Sequence, residues 1–194
     1  MGVKLTPCSS VVFCEGAMRF FVQAFVLAFV FGSFVGPAKA SKVEQLTVSK
    51  TVVLNASASA VWQALKAVRA ADSPQHHVVS HAGVKSEVQE NFVVPVMGAV
   101  SCVYAEHEIE CRKVEYRLIR SANFVAFEGA WEIIPCAGGT RTNVTLTSLA
   151  DTGSHIPFAS KITREQTAQL VEKRINELRA TVERQTVAVS LNNN

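Results

Sequence analysis

The sequence predicts an α+β domain: a curved antiparallel sheet of about six to seven strands packed on one long C-terminal helix, with a short helix after the first strand. Three observations predict it. Apolar residues alternate at period two in a succession of segments between residues 43 and 149. They switch to helical spacing briefly after the first of these and at length near the C-terminus. Trial pairing of the strands through their turns then assigns one buried face to the sheet.

Residues 43–54 are rich in β-branched side chains, and Leu46, Val48, Val52 and Leu54 share a face. Asn55-Ala-Ser57-Ala-Ser59 supplies N-cap oxygens for a helix over 58–71, with Val61, Leu65 and Val68 on one side and Trp62 beside them. Asp72-Ser73-Pro74 stops that helix, because the residue before a proline avoids helical angles. Residues 75–83 form a polar stretch holding His76, His77 and His81. Segments 84–96 and 99–109 read as strands, separated by Pro95 and Gly98, and three more follow at 114–121, 124–135 and 140–149. Beyond Gly153 and Pro157 lies a long helix over 161–185, with Thr163 and Gln166 in a capping-box pattern. Val171, Ile175, Leu178 and Val182 give it an apolar stripe, flanked by Lys173, Arg174, Arg179 and Arg184. Residues 187–194 read as a frayed tail.

The turns set the register. A two-residue turn at Ala122-Asn123 brings Val114 opposite Trp131, Tyr116 opposite Gly129 and Leu118 opposite Phe127. A four-residue turn over 136–139 places Leu146 by Gly129 and Val144 by Trp131, and one over 110–113 places Ile109 by Val114 and His107 by Tyr116. All three put apolar or small residues on one face and leave Glu106, Glu108, Glu110, Cys102 and Tyr104 on the other.

The first 40 residues read as an address. From Met18-Arg19 a phenylalanine- and valine-rich run leads to Pro37-Ala-Lys-Ala40 and Ser41, the charge, apolar stretch and small-residue junction of a secretory signal cut between Ala40 and Ser41. The alternative is an uncleaved anchor over 19–36, the only route by which this chain would touch a membrane. Residues 1–40 are thus leader, with Met18 as an alternative start, 41–186 the domain and 187–194 the tail; the expected location is secreted or periplasmic. This leader holds three of the 19 basic and one of the 16 acidic groups, so the remainder has a net charge of +1. So even a balance leaves no electrostatic footprint for nucleic acid. Three cysteines lie beyond the leader. Cys111 falls near residue 134 of the neighbouring strand, at the sheet end that holds Cys136, which makes Cys111–Cys136 the preferred disulfide; three reduced thiols are the alternative. Asn55 and Asn143 stand in glycosylation sequons.

The order strand, short helix, meander, long helix, with Ser59-Ala-Val-Trp62, Val114-Glu-Tyr-Arg-Leu-Ile-Arg120, Phe127-Glu-Gly-Ala-Trp131 and Gly138-Gly-Thr140-Arg, resembles the START/polyketide-cyclase (SRPBCC) superfamily over about residues 43–185. It is similar to its polyketide cyclase/dehydrase and coenzyme-Q-binding members. The resemblance implies a helix-grip fold with a deep cavity for a hydrophobic ligand. In such a cavity His107 and Tyr116 would orient the ligand, Gly129 would leave room, and Leu118, Phe127, Trp131, Val144 and Leu146 would form the walls.

Three functions fit that expectation. One is an exported, monomeric carrier of an apolar small molecule such as a lipid, isoprenoid quinone or polyketide. Another is a cyclase/dehydratase using His107 and Tyr116 as acid and base. The third is an interaction module with a filled core. The sequence offers no nucleophile elbow, phosphate loop or cofactor motif, and no carboxylate or cysteine completes His76, His77 and His81 as a metal site.

Overall fold

The computed structural model describes residues 46–70, 76–94, 98–155 and 158–192. In chain order they form β1 (Thr47–Leu54), α1 (Ala58–Ala70), β2 (His76–Ala82), β3 (Lys85–Val94), β4 (Gly98–Ile109), β5 (Lys113–Ser121), β6 (Ala126–Cys136), β7 (Arg141–Asp151) and α2 (Ala159–Asn192). The strands make one sheet in the order β1-β7-β6-β5-β4-β3-β2, antiparallel throughout. This is the expected helix-grip architecture, a curved sheet around a long C-terminal helix. The leader with its Ala40–Ser41 junction, the Asp72-Ser73-Pro74 helix stop, Pro95 and Pro157 lie outside the described residues.

Local chemistry explains the elements. Ser57 caps α1: its Oγ accepts the Ala60 N–H at 3.3 Å and its carbonyl accepts the Val61 N–H at 3.0 Å. Val61, Trp62, Ala64 and Leu65 then bury one helical face. Along α2 the expected stripe of Val171, Ile175, Leu178 and Val182 is buried, and the helix packs on β1, β7 and α1. Thr163 is not a cap, as its pattern suggested. The helix starts a turn earlier, and the Thr163 hydroxyl donates to the Ala159 carbonyl at 2.9 Å, as Thr167 does to Thr163 at 2.8 Å. Both threonines are buried, so back-bonding satisfies hydroxyls that water cannot reach. The helix also continues to Asn192, through residues expected to fray. No helix among the described residues is long and apolar enough to cross a membrane.

The structure adds one strand to the six outlined by the sequence. The histidine-rich stretch is β2, which pairs with β3 across the turn at Gly83, whose φ of 63° suits glycine. Its side chains are mostly exposed, so an edge strand held by backbone bonds has no apolar alternation to announce it.

The β5–β6 register is as expected at Val114–Trp131 and Tyr116–Gly129, but the ladder ends at Arg117–Glu128. The Leu118–Phe127 pair is replaced by a wider loop, where the Ser121 hydroxyl accepts the N–H groups of Asn123 and Phe124 at 3.0 and 3.2 Å. Between β6 and β7 the pairing is shifted by two residues: Gly129 meets Ser148, Trp131 meets Leu146 and Ile133 meets Val144. A shift of two preserves the faces, so Val144 and Leu146 stay inside.

The β4–β5 hairpin slips by one, and this changes the interior. Ile109 pairs with Lys113 and Glu106 with Tyr116, because residues 110–112 turn with Cys111 at a left-handed φ of 56°. Cys111 is buried there, and the Arg112 carbonyl accepts the Ile133 N–H at 2.7 Å, which offsets the strained backbone. Opposite Val103 and Tyr104 the pairing skips Ile119 of β5, a bulge that restores the expected Cys102–Ser121 pair. β4 itself alternates unbroken, so Cys102, Tyr104 and Glu106, all expected on the outer face, are buried inside, while His107 stands opposite Glu115 on the outer face.

Gly129 is where the sheet tolerates no side chain. A Cβ there would overlap the Thr147 carbonyl oxygen and the Tyr116 hydroxyl. Gly129→Ala should therefore cost about 2–3 kcal/mol in urea unfolding. A change below about 0.5 kcal/mol would contradict the packing of Tyr116 over Gly129.

Candidate ligand-binding cavity

Because α2 leans on β1 and β7, it leaves space over the β3–β5 part of the concave face. A cavity of about 1040 Å³ fills it, bounded by the last turns of α1 (Ala67, Val68, Arg69), by sheet residues and by α2 from Leu170 to Val187. The sheet contributes His76, Glu90, Tyr104, Glu106, Tyr116 and Trp131. Behind the tyrosines lies an aromatic cluster: Tyr104, Tyr116, Phe92 and Phe124 each pack on Phe127 with ring centroids 5.4–5.8 Å apart.

The wall is charged as well as apolar. Glu90 on β3 accepts a bond from Arg174 Nη2 through Oε1 and from the Tyr104 hydroxyl through Oε2 at 2.9 Å. On the neighbouring strand Glu106 takes Arg69 Nη2 on Oε2 and Arg69 Nε on Oε1 at 3.4 Å, while Arg69 Nη1 reaches Glu108 Oε1 at 2.7 Å. Glu90 and Glu106 are each 7% exposed, so unpaired they would carry a large desolvation cost. Burial works against the charge on Arg174, but Glu90 and the two tyrosines outweigh it and hold its pKa above the ordinary value. Arg69 is shifted the same way: Glu106 and Glu108 overcome burial. Burial, reinforced by Glu90, pushes Tyr104 well above the usual phenol range, and burial raises Tyr116 too. Both therefore remain hydrogen-bond donors at neutral pH; Tyr116 gives its proton to the Thr147 carbonyl at 3.5 Å.

Of the residues expected at a ligand site, Tyr116 and Trp131 line the cavity. Phe127, Val144 and Leu146 are buried core, Leu118 packs half-buried against it, and Gly129 lies beneath the Tyr116 ring. His107 is corrected: the one-residue slip turns it outward, away from Tyr116. The disulfide is corrected too, since no disulfide joins Cys111 to Cys136, in keeping with the alternative of reduced cysteines. Cys111 points into the core, whereas Cys136 lies on the other face with its Sγ 3.8 Å from Asn143 Oδ1. The histidines fall on β2, His76 at the cavity and His81 bonded to Ser86 at 2.8 Å; no three metal-ligating side chains converge among the described residues.

Glu90, Tyr104, Glu106, Arg69 and Arg174 were not singled out from the sequence, although two carried a signal. Arg174 sits inside the α2 stripe, three residues after Val171 and four before Leu178. Glu90 alternates with Val88 and Phe92 on the inward face of β3. A charge at a core position of an otherwise regular pattern marks a buried ion pair.

A curved antiparallel sheet gripping a terminal helix around a cavity defines the START-like class. The chain belongs to the family described as polyketide cyclase/dehydrase and lipid transport, whose model matches residues 45–183. No curated protein matches the sequence significantly. Among solved structures it is similar in fold to the Zhui aromatase/cyclase from Streptomyces sp. R1128, with 16% identity and a TM-score of 0.59 over 72% of this chain and 94% of that one. It is also similar to a START superfamily protein from Mycobacterium smegmatis (17%, 0.54, 72% and 98%) and to a protein from Thermus thermophilus (20%, 0.53, 74% and 99%).

Cys102 reports on this interior. It is 1% exposed, and burial, aided by Glu90, pushes its thiol up to about 12 from 9.0. Above pH 9.0 the unfolded thiol ionises while the folded one keeps its proton, so the stability is complete below 9.0 and lost towards 12. Cys102→Ala should therefore flatten the fall of unfolding free energy above pH 9 by up to about 1.4 kcal/mol per pH unit. An unchanged slope would mean that the thiol is solvated.

Proposed function

We propose that the chain is an exported protein that binds or carries a hydrophobic small molecule, of lipid, isoprenoid quinone or polyketide-like kind, between α2 and the β3–β5 part of the sheet. The observation that carries this reading is the cavity itself, about 1040 Å³, whose wall combines Tyr104, Tyr116, Trp131 and aliphatic side chains with buried ion pairs and charged residues of α2. Its size suits a whole small molecule, and each methylene taken from water contributes about 0.8 kcal/mol. The family description, which covers lipid transport as well as cyclase chemistry, supports the same reading. Carrying requires only this space. The cyclase alternative rested on His107 beside Tyr116, and with His107 on the outer face that pair lacks its base. Export rests on the leader and its junction at Ala40 and Ser41.

Native mass spectrometry of the protein from its source should find an apolar molecule bound to a chain beginning at Ser41. Ala67 and Ala180 line the cavity from exposed positions on the two helices, so Ala67→Trp with Ala180→Trp should expel that molecule and leave the unfolding midpoint little changed. A wild-type chain that carries nothing and binds no apolar dye would overturn the carrier; an N-terminus upstream of Ser41 would overturn the cleavage.

A further inference from the structure

We infer that the cavity takes an uncharged amphiphile, an apolar body bearing hydroxyl or carbonyl oxygen, and discriminates against ionised carboxylates and phosphates; this presupposes the binding function proposed above. The buried part of the cavity wall holds two cations, Arg69 and Arg174, and two carboxylates, Glu90 and Glu106. Both cations are already engaged, Arg174 by Glu90 and Arg69 by Glu106. Glu108, 2.7 Å from Arg69, leaves the cluster with one negative charge in excess. The side chains of all five are at most 19% exposed, so water screens them weakly. On the exposed side of α2, Lys173 lies 3.9 Å from Glu177, while Arg184 donates to the Ala180 carbonyl and the Thr181 hydroxyl, with Glu183 beside it in sequence.

An incoming carboxylate would thus lose its hydration against a buried wall whose two cations are already neutralised. An uncharged oxygen loses less and still finds donors. Among the described residues Arg174 bonds only through Nη2, which leaves Nε and Nη1 for a carbonyl, and the long Tyr116–Thr147 bond of 3.5 Å is readily exchanged for a better acceptor. Besides the ion pairs and the tyrosines, His76 also faces the cavity, from β2.

The probes are lauryl alcohol and laurate, each displacing the uncharged dye phenylnaphthylamine at about pH 8. The alcohol should bind at least about tenfold more tightly. Hydrophobicity alone favours an alcohol in any apolar site, so the deciding readout is how the ratio responds to charge. Glu108→Gln, which removes the excess carboxylate, should narrow the ratio several-fold. Ala180→Lys, at an exposed position on the wall that touches none of the ion pairs, should do the same by adding a free cation. Laurate binding as tightly as the alcohol in the wild type, or a ratio unmoved in both folded variants, would overturn the inference while leaving the carrier intact. A protein that binds neither dye nor alcohol would bring down both.

Discussion

Glu90 and Arg174 meet across the cavity, one from β3 and the other from α2, 84 positions apart in the chain. The helix rests mainly on β1, β7 and α1, so this ion pair ties it to the far half of the sheet. Such a tie works only if both charges stay satisfied, and the Tyr104 hydroxyl completes Glu90 by taking its second oxygen. Aliphatic side chains at these positions would allow the helix and sheet to collapse together. A buried salt bridge instead fixes a separation set by side-chain length and brings charged groups to the cavity wall.

The second pair depends on a detail of the β4–β5 hairpin. A left-handed Cys111 shifts the pairing by one residue, and a bulge at Ile119 of β5 shifts it back. The slip at the turn sets the alternation of β4, which presents Cys102, Tyr104 and Glu106 to the interior. Glu106 would be intolerable there without Arg69 in the last turn of α1, which is where the dipole of that helix also favours a cation. Turn geometry, strand register and helix charge thus converge on one wall. The excess carboxylate of Glu108 follows from the same arrangement, because Arg69 is positioned to hold both.

Most of the architecture was legible in residue patterns. The stripe from Val171 to Val182, the alternation of β5 and β6 and the serine before α1 each report a local preference that the fold keeps. The errors share a physical origin. β2 has no apolar face to alternate, so its existence depends on a neighbour. The hairpin slip was invisible because pattern reasoning prefers the register that keeps Glu106 in water, whereas the fold buries it with a distant arginine. Functional sites are where local rules fail in this way, since a charge placed inside must be compensated from elsewhere in the chain. Tyr116, Gly129 and Trp131 could be read because their pairing depends on one turn, with no long-range partner.

The central claim is that Glu90 and Arg174 stabilise each other across the cavity, and a double-mutant cycle tests it most directly. Urea unfolding of Glu90→Gln, Arg174→Met and the double variant should show singles that each cost about 3 kcal/mol or more, because each strands a buried partner. The double should cost less than their sum by at least about 1.5 kcal/mol. Costs that add to within about 0.5 kcal/mol would mean that the two side chains do not interact, and that the cavity owes its shape to something else.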